Sequence, residues 1–110
     1  MATTTYKILG QSAPAATTET ALYTVPAATE TIISSITVCN RGSSAATYRI
    51  YVSANGAATA NSQYLVYDAT IQAKETVALT LGVTLDATDV LRVYASTADC
   101  SFNAFGSEIA

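Results

Sequence analysis

Eight carboxylates, seven tyrosines, two cysteines and five cations are the chemically active side chains of this 110-residue chain, which has no histidine. Most general acid-base chemistry near neutral pH, most serine or cysteine nucleophiles and most transition-metal sites depend on an imidazole. The carboxylates come next. Asp86 and Asp89 flank a short turn, and with Asp68 or Asp99 they could offer oxygens to a hard cation such as calcium. Their spacing fits no calcium loop, and aspartate in turns commonly accepts hydrogen bonds from nearby backbone instead. Glycoside hydrolysis would need two carboxyl groups held several ångströms apart across a sugar. The acidic residues here fall mostly at strand ends, and none lies within an apolar segment that would raise its pKa. Serine and threonine abound without a G-x-S-x-G elbow or a histidine base. Cys39 and Cys100 read as small buried hydrophobes; they could pair only if their strands are neighbours, and without histidine they make no ordinary zinc site. The chain is accordingly not expected to be an enzyme, and no catalytic, cofactor-binding or metal-ligating residue is assigned.

The remaining chemistry is recognition. Tyr6, Tyr23, Tyr48, Tyr51, Tyr64, Tyr67 and Tyr94 combine an apolar ring with a hydroxyl, a combination frequent at interfaces and in sugar-stacking platforms alike. Arg49 and Tyr51 share the polar face of an amphipathic segment and are candidates for a partner surface. Small residues around Pro14, and in the Asn55 to Asn61 stretch with its Asn55-Gly56 turn, lose little rotamer entropy on docking and are the other candidates. Lys7, Arg41, Arg49, Lys74 and Arg92 are scattered, and the net charge is −3, so direct nucleic-acid binding is not expected. No basic region precedes an apolar stretch in residues 1–10, and no apolar run is long enough to span a bilayer, so neither a signal peptide nor a membrane is expected.

What positions these residues is strand-forming sequence. Half the residues are hydrophobic and only 12% are charged, about half the usual charged share. Alternation such as Thr76, Val77, Ala78, Leu79, Thr80, Leu81 puts apolar side chains on one face and small polar ones on the other. Strands are expected at 3–9, 19–25, 30–40, 47–53, 63–68, 74–85, 90–95 and 100–105, with residues 11–18 as an extended loop or arm. In 30–40, Ile32, Ile36 and Val38 fall on one face and Ile33 and Cys39 on the other, which suits a central strand. Val77, Leu79 and Leu81 are expected to face the core, with a bend at Gly82. Ala28 to Ile32 echoes Ala73 to Val77, which reads as two equivalent turn-to-strand entries. About eight short strands without a helix predict one all-β domain over 1–110, a β-sandwich or jelly-roll-like fold.

Three stretches carry a family likeness: Lys7-Ile8-Leu9-Gly10-Gln11-Ser12, then Leu22-Tyr23-Thr24-Val25-Pro26-Ala27 leading into Ile36-Thr37-Val38-Cys39-Asn40, and the closing Ser101-Phe102-Asn103-Ala104-Phe105-Gly106. With these the chain resembles small β-sandwich structural proteins of tailed bacteriophages. The resemblance implies a virion component made in the host cytoplasm. The favoured expectation is a capsid decoration or cement protein, a homo-oligomer bound to the outer face of the major capsid protein lattice. A tail or fibre-associated component, or a carbohydrate-binding sandwich for host attachment, are the alternatives.

Overall fold

The computed structural model describes residues 2–110, with Met1 outside it. Among the described residues there are nine strands: β1 (Thr4–Ser12), β2 (Thr20–Thr24), β3 (Glu30–Asn40), β4 (Ala46–Ser53), β5 (Tyr64–Ile71), β6 (Thr76–Leu79), β7 (Val83–Leu85), β8 (Val90–Ala95) and β9 (Cys100–Ile109). The count exceeds the expected one because the 74–85 segment is two strands. Gly82 adopts φ +65°, which breaks the run after Leu79 and leaves Leu81 43% exposed instead of facing the core. Val77 and Leu79 do pack against the core.

All pairings are antiparallel and form two sheets. The front sheet runs β1-β9-β3-β6, with β7 also beside β3; the back sheet runs β2-β8-β4-β5. With β6 and β7 taken as one segment, β1 meets β9, β2 meets β8, β3 meets β6/β7 and β4 meets β5. The chain is thus one long hairpin folded about the β4–β5 connection and rolled so that β9 also meets β3 and β8 also meets β4. This is the jelly-roll arrangement, which packs one face of each sheet against the other without a crossover helix.

The core lies between the sheets: Ile36, Val38, Phe102 and Ala104 from the front meet Tyr48, Ile50, Leu91 and Val93 from the back. Tyr48 packs on Phe102 edge to face, with ring centroids 6.4 Å apart. Two bulges correct the simple alternation. β3 slips register between Ile33 and Ser35, and β1 slips between Ile8 and Gly10, so both neighbours of β9 change parity at the same level of the sheet. Ile33 therefore faces inward like Ile36 and Val38, whereas Ile32, expected with them, is turned outward and 44% exposed. β9 admits no side chain at this level. A Cβ on Gly106 would lie 2.0 Å from the Ile32 carbonyl oxygen.

Cys39 and Cys100 do lie on neighbouring strands, β3 and β9. Cys100 is paired with Asn40 and points inward, while Cys39 is paired with Ser101 and points the other way, so both remain free thiols. One residue of register is one face of the sheet.

Candidate functional site

Two surfaces stand out, one on the outside of each sheet. On the back sheet, Arg49 of β4 lies opposite Tyr94 of β8, and on its other side β5 is bulged, two of its residues facing one of β4: Tyr48 pairs with Ala69 and Ile50 with Val66, so Tyr67 and Asp68 together confront Arg49. Asp68 takes φ +50° to make this bulge. The consequence is a clamp. The guanidinium carbon sits 4.4 Å from the ring centroids of both Tyr67 and Tyr94, and Arg49 donates to Asp68 through Nε at 2.6 Å and Nη2 at 3.1 Å. The fork holds the Asp68 carboxyl below its ordinary value and pushes Arg49 further up. A second extra residue, Leu65, brings Tyr64 onto the same face, where its centroid lies 4.8 Å from Tyr67 and 4.9 Å from Tyr51. A shallow groove of about 350 Å³ opens beside Asn61, Tyr64 and Tyr67, and Tyr67 is 57% exposed.

Of the five residues expected as partner contacts, Arg49 alone takes part in this surface as a partly accessible side chain, joined there by Tyr64, Tyr67 and Tyr94 from the wider set of tyrosines. Tyr51 is on the same face, as its parity requires, yet only 1% exposed. The β4–β5 connection folds over it: the Tyr51 hydroxyl donates to Glu19 Oε1 at 2.7 Å, Thr59 donates to the same oxygen, and Arg92 donates to the Ala57 carbonyl at 3.3 Å. Burial, then the Glu19 hydrogen bond, push the Tyr51 hydroxyl pKa up. Hydrogen bonds from Thr59 and Tyr51 hold Glu19 down. Tyr51 is thus a buried support and not a contact residue.

Pro14 is likewise buried, and Thr17 N–H donates to Ala95 C=O at 2.8 Å, so residues 13–19 form a fastened passage from front to back sheet. The segment expected as an extended loop or arm over 11–18 is a connection that begins after Ser12, the first two of its residues belonging to β1. Asn55 and Gly56 are exposed but serve a turn: both have positive φ, Ala57 N–H closes on Ala54 C=O at 3.0 Å, and Asn55 N–H donates to Asp89 Oδ1 at 2.9 Å. Asp89 Oδ2 accepts the Asp86 N–H at 2.9 Å, and Asp86 Oδ1 accepts the Ala87 N–H at 2.8 Å, so both carboxylates are engaged by backbone. No group of three or more metal-ligating side chains occurs among the described residues.

The second surface lies outside the front sheet, near the paired ends of β1 and β9. Tyr6 is opposite Ser107, which is opposite Ile32, and Ile8 is opposite Phe105. Tyr6 is 83%, Ile8 53% and Ile32 44% exposed: two apolar groups on the edge strand β1 and a third on the same outer face, across β9 on β3. Sequence reading missed this surface because Ile8 and Ile32 look like core residues until the bulges are known. The Tyr64 to Asp68 run held a signal of a different kind: it is strand-like in composition but does not alternate, which is how a doubly bulged strand reads.

Comparison with protein-family models, characterised proteins and solved structures gives no match to this chain.

Proposed function

We propose that this protein is a bacteriophage virion structural protein that decorates the outside of the capsid, docking the outer face of its front sheet on the major capsid protein lattice. The observation that carries the reading is the Tyr6, Ile8 and Ile32 group. Tyr6 and Ile8 stand exposed on the edge strand β1 and Ile32 on the same outer face two strands away. Exposed apolar groups gathered on one face favour contact with another protein, and a surface this poor in charge binds with little dependence on ionic steering. The jelly-roll arrangement adds support by analogy, since capsid proteins are among its frequent users, and so do the three stretches resembling phage structural proteins. The docking surface differs from the one expected from sequence because Pro14 and Tyr51 are buried, while the Asn55-Gly56 turn, though exposed, is held by Asp89 and Thr88.

The test mixes purified protein with undecorated capsids and measures occupancy by sedimentation and particle imaging at low and high salt. Lattice-wide occupancy that falls little with salt, and that drops in a Tyr6→Ser/Ile8→Ser double variant of unchanged thermal stability, is the expected outcome. A few copies at the tail with a bare capsid surface would replace this reading with the tail-associated one.

A further inference from the structure

We propose that the outer face of the back sheet is a carbohydrate-binding platform in which the apolar face of a neutral pyranose stacks on Tyr67 and its hydroxyl edge meets Asn61 and the free lone pairs of Asp68. The inference is independent of the front-sheet reading, which uses the opposite side of the molecule.

The first argument is preorganisation. A β-bulge places Tyr67 and Asp68 together against Arg49; the guanidinium lies 4.4 Å from the Tyr67 and Tyr94 centroids and is forked by Asp68. Tyr64 abuts Tyr67 at 82°, close to perpendicular. Tyr67 is therefore held on the Arg49 side and braced by Tyr64 while 57% of its surface faces solvent. A large apolar ring fixed in an exposed position loses little entropy when a flat ligand covers it.

Charge selects the ligand class. Arg49 is fully paired with Asp68, whose side chain is 40% exposed, and the chain carries −3 overall, so the patch has no uncompensated cation for a phosphate or a carboxylate. What fits is a neutral molecule with one C–H face and a hydroxyl-bearing edge. The groove of about 350 Å³ beside Asn61, Tyr64 and Tyr67 is at the small end of ligand sites, the size for one or two sugar units rather than a peptide strand.

The experiment is chemical-shift mapping of the labelled protein with methyl glycosides of glucose, galactose and N-acetylglucosamine and with their β-1,4-linked disaccharides. Saturable shifts at Asn61, Tyr64, Tyr67 and the Arg49 Nε–H are expected, with a dissociation constant on the order of 1 mM, as suits a ligand of about a dozen heavy atoms. Tyr67→Ala should weaken binding about tenfold or more, the scale of one lost stacking contact, and Tyr67→Phe should retain it. Tyr67 is exposed, so unchanged melting of both variants separates lost binding from lost fold. Absence of shifts with every glycoside, shifts confined to other surfaces, or undiminished binding by Tyr67→Ala would each overturn the assignment. If glycosides do nothing while Tyr67→Ala lowers capsid occupancy, the patch is a protein contact instead.

Discussion

The Tyr23 hydroxyl reaches from the back sheet to the front, sharing a 2.8 Å hydrogen bond with Thr31 Oγ1 and donating to Glu108, which also accepts from Lys7 Nζ at 3.2 Å. Burial, then the bond to Glu108, push Tyr23 up to about 12; the bond from Tyr23, aided by Lys7, holds Glu108 below its ordinary 4.5. The two shifts act on stability in opposite pH ranges. A depressed carboxyl stabilises the fold above its unfolded value, so stability should decline as pH falls below about 4.5. A raised phenol stabilises below its unfolded value of 10.0, so stability should also decline as pH climbs from there through about 12. Tyr48 and Tyr51, both raised, add to the alkaline limb. Tyr23→Phe should cost about 1–3 kcal/mol at neutral pH, because Thr31 and Glu108 lose a buried partner. It should also shallow the alkaline limb, which thermal melts across pH would measure. An alkaline limb as steep as in the parent protein would mean that Tyr23 deprotonates no less readily folded than unfolded.

Among the elements, bulges and left-handed turn residues decide which side chains become surface. Opposite Gly106 the bulged β3 brings the Ile32 carbonyl so close that a methyl group must displace backbone. Gly106→Ala should therefore destabilise by roughly 1–3 kcal/mol or more, read by urea unfolding, and a neutral result would disprove the close approach. The turns offer the converse test. Thr17, Ala28, Lys74 and Thr88 all follow an alanine, and all take φ between +53° and +67°. Each of these four is the second residue of a two-residue turn, unlike Asn55, which also follows an alanine at φ +55° but lies in a 3-10 turn. The likeness between residues 28–32 and 73–77 is thus a shared turn geometry, present four times among the described residues. Ala28 is exposed and pays the left-handed penalty, so Ala28→Gly should stabilise by about 0.5–1 kcal/mol despite glycine's greater freedom when unfolded. These features also mark where sequence is legible. Alternation locates the strands, the central place of β3 and the shared face of Arg49 and Tyr51 on β4, because period 2 is set by the pleat itself. A bulge adds one residue with no compositional signature beyond broken alternation, and so Ile32, Leu81 and the Tyr67–Asp68 clamp were not legible. Tyr51 escaped for another reason: parity gives its face but says nothing of the connection that folds over that face.

At the scale of the whole molecule, the nested hairpin makes almost every pairing distant in sequence, and the β1–β9 pairing is the most distant. β9 sits between β1 and β3, so the front sheet cannot close until the end of the chain has entered between its neighbours. Such non-local topology places folding in roughly the millisecond-to-second range. The ends are nonetheless adjacent: Thr3 N–H donates to Ala110 C=O at 2.6 Å, and Ala110 N–H donates to Thr3 C=O at 2.9 Å. Joining residue 110 to residue 2 through a short glycine-rich turn would convert β1–β9 into a local hairpin. New ends between Leu81 and Gly82 would open an exposed link between two short strands, with nothing within 4 Å of the Gly82 Cβ position. This permutant should keep the fold, because no strand pairing is cut. It should refold faster than the parent, because closing β1 on β9 no longer carries the entropy of a chain-length loop. Stopped-flow refolding of both forms measures the difference. An equal rate in the two would place the β1–β9 closure after the barrier, and the slow step would then belong to the inner pairings around the β4–β5 connection.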